Sequence, residues 1–313
     1  MRVVVTGSNG RLGQVLVPRL LANPAVDEVI GIDRRPDPRT WPGYRPLQLD
    51  VRSAEVARAC RGVDAVVHMA FVLMGGGLGR RRHDRQVVRA VNVEGSRRVL
   101  AAAARAGVPH LIFLSSVACY GAWPDNPPAI EEGWPLRPNP GFAYGQDKVA
   151  VEHWLDRLGE ERPHVAITRL RPHVILGPHA HPLLRALLRQ PFYPALRQPP
   201  KVQAVWEDDV AAAVEQALLE QARGVFNLAA GPAMSLREML GLVRRSRFPV
   251  PIGLLEALHR LAWRVTPAAG EPGWMEGLRA PLVVDTTAAR QRLGWQPSLD
   301  LPTCVRRIAG LPL

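Results

Sequence analysis

The chain has 313 residues, 47% of them hydrophobic and 22% charged. That composition supports a sizeable core in one large domain or two ordinary ones, and excludes a disordered chain, a collagen and a coiled coil. Forty basic against 28 acidic residues give a formal charge of +12, and only Lys148 and Lys201 of the basic set are lysines. Such a charge invites a nucleic-acid or membrane-surface partner. No helix-turn-helix, zinc-finger or RNA-stacking motif accompanies it, so a specific nucleic-acid partner is not expected. The longest uncharged run, residues 106–124, is punctuated by Pro109, Ser115, Ser116 and Gly121, which argues against a membrane span. The apolar stretch after Met1 is too short for an export signal, and Cys60, Cys119 and Cys304 show no metal spacing. A cytoplasmic protein without a metal site is the expectation.

In chain order, short apolar runs predict strands at 2–6, 29–32, 47–49, 65–68, 111–114 and 165–170. Helical patterns fall between them at 12–22, 54–61, 86–106 and 146–158. Continuous apolar strands alternating with helices imply an α/β fold, a Rossmann-type doubly wound parallel sheet. Pro18 conflicts mildly with the first helix and is expected early enough in it to be tolerated. Beyond Gly177 prolines multiply, and the pattern predicts a smaller, mostly helical substrate lobe. Helices are expected at 208–221, 235–245 and 253–265, the second opened by a Ser235/Glu238 capping box, with one more strand at 225–229. The apolar stripe of 253–265 reads first as a core-facing helix, with a lipid or partner surface as the alternative. Residues 1–175, with 207–230 returning to them, would form the dinucleotide-binding domain; 176–206 and 231–313 would form the substrate lobe.

Two constellations carry chemistry. The first strand runs into Gly7-Ser8-Asn9-Gly10-Arg11-Leu12-Gly13, a GxxGxxG loop placed between strand and helix. Glycines there permit a tight turn and let backbone N–H groups and a helix N-terminus approach a pyrophosphate. Asp33 closes the second strand, where a carboxylate accepts from ribose hydroxyls and repels a 2′-phosphate; NAD is favoured over NADP, although Arg34 and Arg35 could accommodate that phosphate. Asp50 fits an adenine contact and a helix start equally well. The second constellation is Ser115-Ser116 after the fifth strand, with Tyr144 and Lys148 four residues apart on one helix face. The Lys148 ammonium, with a positive nicotinamide ring, is expected to lower the phenol pKa of Tyr144 for proton exchange with a carbinol. A chance Tyr–Lys pair at this spacing is expected only about 0.03 times in such a chain. Residues 80–85, with four arginines, read as a solvated loop or as an anion-contacting flap.

Together with His68-Met69-Ala70, Asn92 in Val-Asn-Val-Glu-Gly and SSxxxYG, these residues resemble the extended short-chain dehydrogenase/reductases, more narrowly the NAD-dependent epimerase/dehydratase family. The resemblance implies Ser116, Tyr144 and Lys148 as the catalytic set. It implies Gly7, Asn9, Gly10, Arg11, Leu12, Gly13, Asp33, Arg34, Asp50, Val51, Met69, Ala70, Asn92 and Lys148 as cofactor contacts. It implies a small-molecule substrate and a homodimer. Dehydratases of the family carry an Asp-Glu pair where this chain has Val117 and Ala118, so elimination of water is not expected. Val174 stands where epimerases usually place an asparagine on the substrate's phosphate side, and His179 where some members keep an acid/base; Val174 and His179 are the candidate substrate residues. His179 reads first as a loop histidine, because no partner acid is evident. An enzyme of hydride transfer at a secondary carbinol follows, most simply a sugar-nucleotide epimerase. The alternatives are a dehydrogenase or reductase of a lipid-like substrate and a non-catalytic cofactor sensor.

Overall fold

The computed structural model describes residues 1–74, 84–243, 247–265 and 270–311. The first half alternates as expected: β1 (Arg2–Thr6), α1 (Gly13–Leu21), β2 (Glu28–Asp33), β3 (Tyr44–Gln48), α2 (Val56–Ala59), β4 (Ala65–His68), α3 (Arg85–Arg89), α4 (Ser96–Arg105), β5 (His110–Leu114), α5 (Ala143–Glu161) and β6 (Ala166–Pro172). The second half adds β7 (Val174–Leu176), α6 (Pro182–Arg189), β8 (Phe192–Ala195), β9 (Lys201–Trp206), α7 (Glu207–Leu219), β10 (Gly224–Leu228), β11 (Ala230–Ser235), α8 (Leu236–Leu242), β12 (Phe248–Pro251), α9 (Ile252–Val265), α10 (Thr287–Leu293) and α11 (Leu301–Ala309).

Seven parallel strands form the main sheet in the order β10-β6-β5-β4-β1-β2-β3. Successive side chains of a strand face opposite sides. Val3 and Val5 accordingly pack with Leu16, Val17 and Leu20 of α1 and Val210 and Val214 of α7. Val4 packs on the other face with Val99 and Leu100 of α4 and Val151 and Leu155 of α5. Both faces are covered, which is why these strands read as unbroken apolar runs. The chain order reverses between β1 and β4, and the carboxyl ends of those strands open the crevice where such sheets take ligands.

Around Gly177 the chain leaves this sheet. β11, β9 and β7 make a three-stranded sheet, with β7 parallel and β11 antiparallel to β9, and β8 pairs with β12. Leu240, Leu301, Val305 and Ile308 cover the three-stranded sheet through Ala204 and Trp206. β10 returns to the main sheet beside β6.

Three expectations are corrected. Pro18 lies past the middle of α1 rather than near its start, and the helix tolerates it with its apolar face buried on the sheet. The pattern at 86–106 is one continuous helical run but not one α-helix: a π-helical turn, Ala90–Gly95, separates α3 from α4. The helix at 253–265 forms, yet it does not face the core, since none of its residues is buried. The capping box of α8 is present with both reciprocal bonds. Residues 244–245 of the expected 235–245 helix, and 80–83 of the arginine run, lie outside the described residues. Among the described residues no helix is long and apolar enough to cross a membrane.

Candidate active site

The loop after β1 turns back on itself under steric conditions that only glycine meets. Gly7 has φ +75°, and a Cβ there would stand 3.0 Å from the Ala70 backbone. A Cβ at Gly13 would overlap the Ser8 carbonyl, so the start of α1 packs directly against the loop. The Met69 and Ala70 amides donate to the Thr6 hydroxyl at 3.3 Å, which ties the end of β4 to the end of β1. His68 continues the tie, from Thr6 Oγ1 at 2.7 Å to Ser96 Oγ at 2.8 Å, and burial holds its pKa down at about 3. This cradle fits a dinucleotide pyrophosphate: a glycine backbone that a side chain would fill, ending on a helix N-terminus.

Asp33 stands at the end of β2 beside the cradle. It accepts from the Asn9 amide at 3.2 Å and the Arg35 amide at 2.9 Å, with Arg35 Nε 3.5 Å away. Asn9 accepts from Gln14 and donates to the Pro36 carbonyl, fixing the same corner. Arg34 is exposed. Asp50 is held by Arg52 through its amide and guanidinium, which lowers the carboxyl to about 2. Val51 is 6% exposed and belongs to the core, and Leu12 packs against the opposite cluster. Arg11 points away from its own loop and donates to the carbonyls of His179 and Ala180 at 3.1 and 3.0 Å.

Ser116, Tyr144 and Lys148 converge at the carboxyl end of β5. Ser116 caps the 3-10 turn Val117–Cys119, and its hydroxyl lies close enough to the Tyr144 phenol to favour its ionised form. Tyr144 packs edge-on against Phe71 at 5.5 Å between ring centroids. The Lys148 side chain is buried; its Nζ donates to the Leu114 carbonyl and lies 3.6 Å from the Phe71 ring centroid. Burial draws this ammonium down to about 7, against nearby acidic groups that support it. The expected lowering of the phenol is corrected: burial raises Tyr144 above the ordinary phenol range, and the hydrogen bond with Ser116 offsets only part of it. Lys148 donates to the Leu114 carbonyl, with Nζ 5.6 Å from the Tyr144 ring centroid, and it is not among the groups that lower the Tyr144 phenol.

Asn92 lies in the π-helical turn and is fully buried. It exchanges bonds with the Val72 backbone and donates to Asp147 at 3.1 Å. Asp147 also takes a bidentate pair from Arg85 at 2.6 and 2.8 Å. The one described arginine at the end of the 80–85 run is therefore a clamp on the helix carrying Tyr144, not a solvated side chain. Val174 sits in β7, half-buried against the core of the three-stranded sheet. His179 does have a partner acid: its Nδ1 is 2.8 Å from Glu207 Oε1, and its amide donates to the same carboxylate at 3.1 Å. Glu207 is 3% exposed. Among the described residues no group of three His, Cys, Asp or Glu side chains could hold a metal ion.

Two features escaped the sequence reading. Glu152, buried one turn beyond Lys148, receives Ser115 Oγ at 2.5 Å and a bidentate pair from Arg171 at 2.6 and 2.8 Å. Glu271 is 4% exposed, faces the amides of Tyr144 and Ala143 at the start of α5, and leaves Oε2 without a partner among the described residues. Burial raises its carboxyl from 4.5 to about 7. The native state therefore holds a proton that the unfolded chain releases, and stability falls as pH rises through the window from 4.5 to 7. Thermal unfolding of Glu271→Gln across that window is expected to lose this slope and to gain about 2–3 °C above pH 7; an unchanged slope would contradict the assignment.

The sequence profile of the NAD dependent epimerase/dehydratase family matches residues 3–229. The chain belongs to that family. The family takes NAD, and the chain is an enzyme of its extended short-chain type. It is 28% identical over 306 residues to an uncharacterised protein of Mycobacterium tuberculosis, covering 94% of this chain and 80% of that protein. It is 33% identical over 183 residues to sterol demethylase protein B of Methylococcus capsulatus, covering 57% of this chain and 52% of that one. The fold matches the Thermus thermophilus UDP-glucose 4-epimerase, solved in complex with NAD, at a TM-score of 0.73 and 24% identity over 99% of this chain and 98% of that one.

Proposed function

We propose that this chain oxidises a secondary carbinol by hydride transfer to NAD, using Ser116, Tyr144 and Lys148, and that the carbinol belongs to a sugar nucleotide which it epimerises. The observation that carries this reading is the joining of the Ser116–Tyr144 pair at the end of β5 to the glycine cradle at the end of β1, in one crevice of one sheet. Bound NAD supplies the hydride acceptor. Gly7, Asn9, Gly10, Leu12 and Gly13 hold its pyrophosphate, and Asp33 its adenosine ribose. Arg11, Arg34, Asp50, Val51, Met69, Ala70 and Asn92 line or support that groove. Ser116 Oγ orients the substrate hydroxyl, and Tyr144, in its ionised phenolate form, takes its proton. Lys148, with a pKa near 7, is poised to exchange a proton at neutral pH. Val117 and Ala118 follow Ser116 and cannot move a proton, which supports epimerisation over dehydration. We place the enzyme in the cytoplasm as a homodimer, on the family resemblance.

The second reading, a dehydrogenase of a lipid-like hydroxy substrate, is favoured by the relative whose name is sterol demethylase protein B and by Val174 in place of a polar residue. Purified protein with NAD, offered a panel of UDP-hexoses and a panel of hydroxysteroids, separates the two. Inversion of a hexose carbinol, read by proton NMR, supports the first; net ketone formation on a steroid overturns it. Bound NAD with no turnover on either panel would indicate a sensor.

The cofactor assignment carries its own prediction. Asp33→Ser removes the charge that repels a 2′-phosphate, with Arg34 and Arg35 alongside. The ratio of NADP to NAD affinity is expected to rise about tenfold or more, the equivalent of one lost repulsion of about 1.4 kcal/mol. Titration of both cofactors by intrinsic fluorescence measures it, and an unchanged ratio would remove Asp33 from the ribose.

A further inference from the structure

The face of α9 turned to solvent has the form of a membrane-surface helix. Leu254, Leu258, Leu261 and Val265 recur at spacings of four, three and four, so they share one stripe of the helix. Their exposures are 51, 53, 57 and 78%, the highest values for large apolar side chains among the described residues apart from Phe248 at 55% and Val87 at 51%. Phe248 opens β12, the strand that leads into α9. One edge of the stripe carries the exposed Arg260 and Arg264, one helical turn apart. The helix has a single acid, Glu256, which is bound to Arg279.

An apolar stripe edged by arginines on a chain of net charge +12 is complementary to one kind of surface in particular, a bilayer containing anionic phospholipid. Leucine side chains enter the acyl boundary while guanidinium groups stay with the headgroup phosphates. A second copy of the chain seated on this same stripe would instead bring two arginine edges against each other. We propose that α9 docks the enzyme reversibly on anionic membrane surfaces, with the helix lying in the interface plane. The proposal does not depend on which carbinol is the substrate.

The test is co-sedimentation of the full chain with vesicles of phosphatidylcholine alone and of phosphatidylcholine mixed with phosphatidylglycerol. Binding is expected to the mixed vesicles, weakening as salt rises. Leu258→Gln with Leu261→Gln should reduce the partition at least tenfold, while the thermal unfolding temperature and NAD affinity stay as in the parent. Arg260→Gln and Arg264→Gln should each reduce it about fivefold on the mixed vesicles only. Three results would overturn the proposal: no partition into the mixed vesicles, binding indifferent to the leucine substitutions, or a concentration-dependent dimer in solution that those substitutions dissociate.

Discussion

Tyr144→Phe is expected to lower turnover by about 10²–10⁴-fold, the usual contribution of a positioned proton-transfer group, and to leave NAD affinity unchanged. The phenol oxygen is held by Ser116, and the ring is packed against Phe71 by contacts that phenylalanine keeps. The substitution therefore removes a proton acceptor and little else. Loss should fall on kcat with KM nearly constant, because the group acts in the transition state rather than in binding. Ser116→Ala should reproduce part of it, since the phenol then loses the hydrogen bond that opposes its burial. The raised phenol also predicts a pH profile: turnover should climb toward alkaline pH as more of the tyrosine ionises. A steady-state profile that is flat through the alkaline range would argue that another group takes the proton.

Arg171→Met should destabilise the protein by about 3–5 kcal/mol, the cost of breaking the bidentate pair of a buried carboxylate, which then keeps Ser115 Oγ and, at 3.5 Å, Arg169. For a chain of this length that is a loss of about 5–8 °C in unfolding temperature. Arg171 is 3% exposed and Glu152 is fully buried, with two guanidinium–carboxylate bonds between them. The same guanidinium reaches the Tyr120 hydroxyl at 2.6 Å and the Glu132 carbonyl at 2.9 Å, and Tyr120 donates on to Asn227. The cluster thus joins β6, α5, β10 and the segment after β5, directly behind Ser116. Burial works against the Glu152 carboxylate, but Arg171 outweighs it and the folded pKa stays below the ordinary value. A carboxyl depressed on folding stabilises above its unfolded pKa, and that share is lost as pH falls through the folded value. The wild type should accordingly lose stability in acid more steeply than Glu152→Gln/Arg171→Met, which removes both charges and should recover much of the single-variant loss. Differential scanning calorimetry across the acid range measures both effects.

The parts of the fold that were legible in the sequence are those governed by local rules. β1 and β4 have the expected bounds because continuous valines between glycine and polar punctuation leave no other reading. The cradle was legible because its glycines answer a steric demand within the loop itself. What escaped depends on distant partners. β7 is only three residues long, β9 and β11 carry polar or proline residues, and the three pair across residues 174–235. α5 begins at Ala143, three residues before the periodic pattern does; Tyr144 and Gly145 obscure its start, and Glu271, far along the chain, faces its first amides. Glu207 stands just ahead of the helix expected at 208–221, and nothing in its neighbours marks it as buried. Its burial beside His179 is set by Gly177, where any side chain would overlap the Glu207 carboxylate. Periodicity at 253–265 established an amphipathic helix without saying which medium its apolar side meets. The phenol shift went the wrong way because spacing brings Lys148 to the correct face of α5 but does not tell where its ammonium is bonded.

The rate of carbinol oxidation by NAD, measured in single turnovers on a panel of UDP-hexoses carrying deuterium at the carbinol carbon, tests the hydride transfer and the role of Tyr144 most directly. The wild type should transfer hydride from at least one of them with a primary isotope effect, and Tyr144→Phe should slow that step by the factor given above. NAD-saturated protein that oxidises no hexose, or a Tyr144→Phe variant as fast as the wild type, would contradict the proposed chemistry.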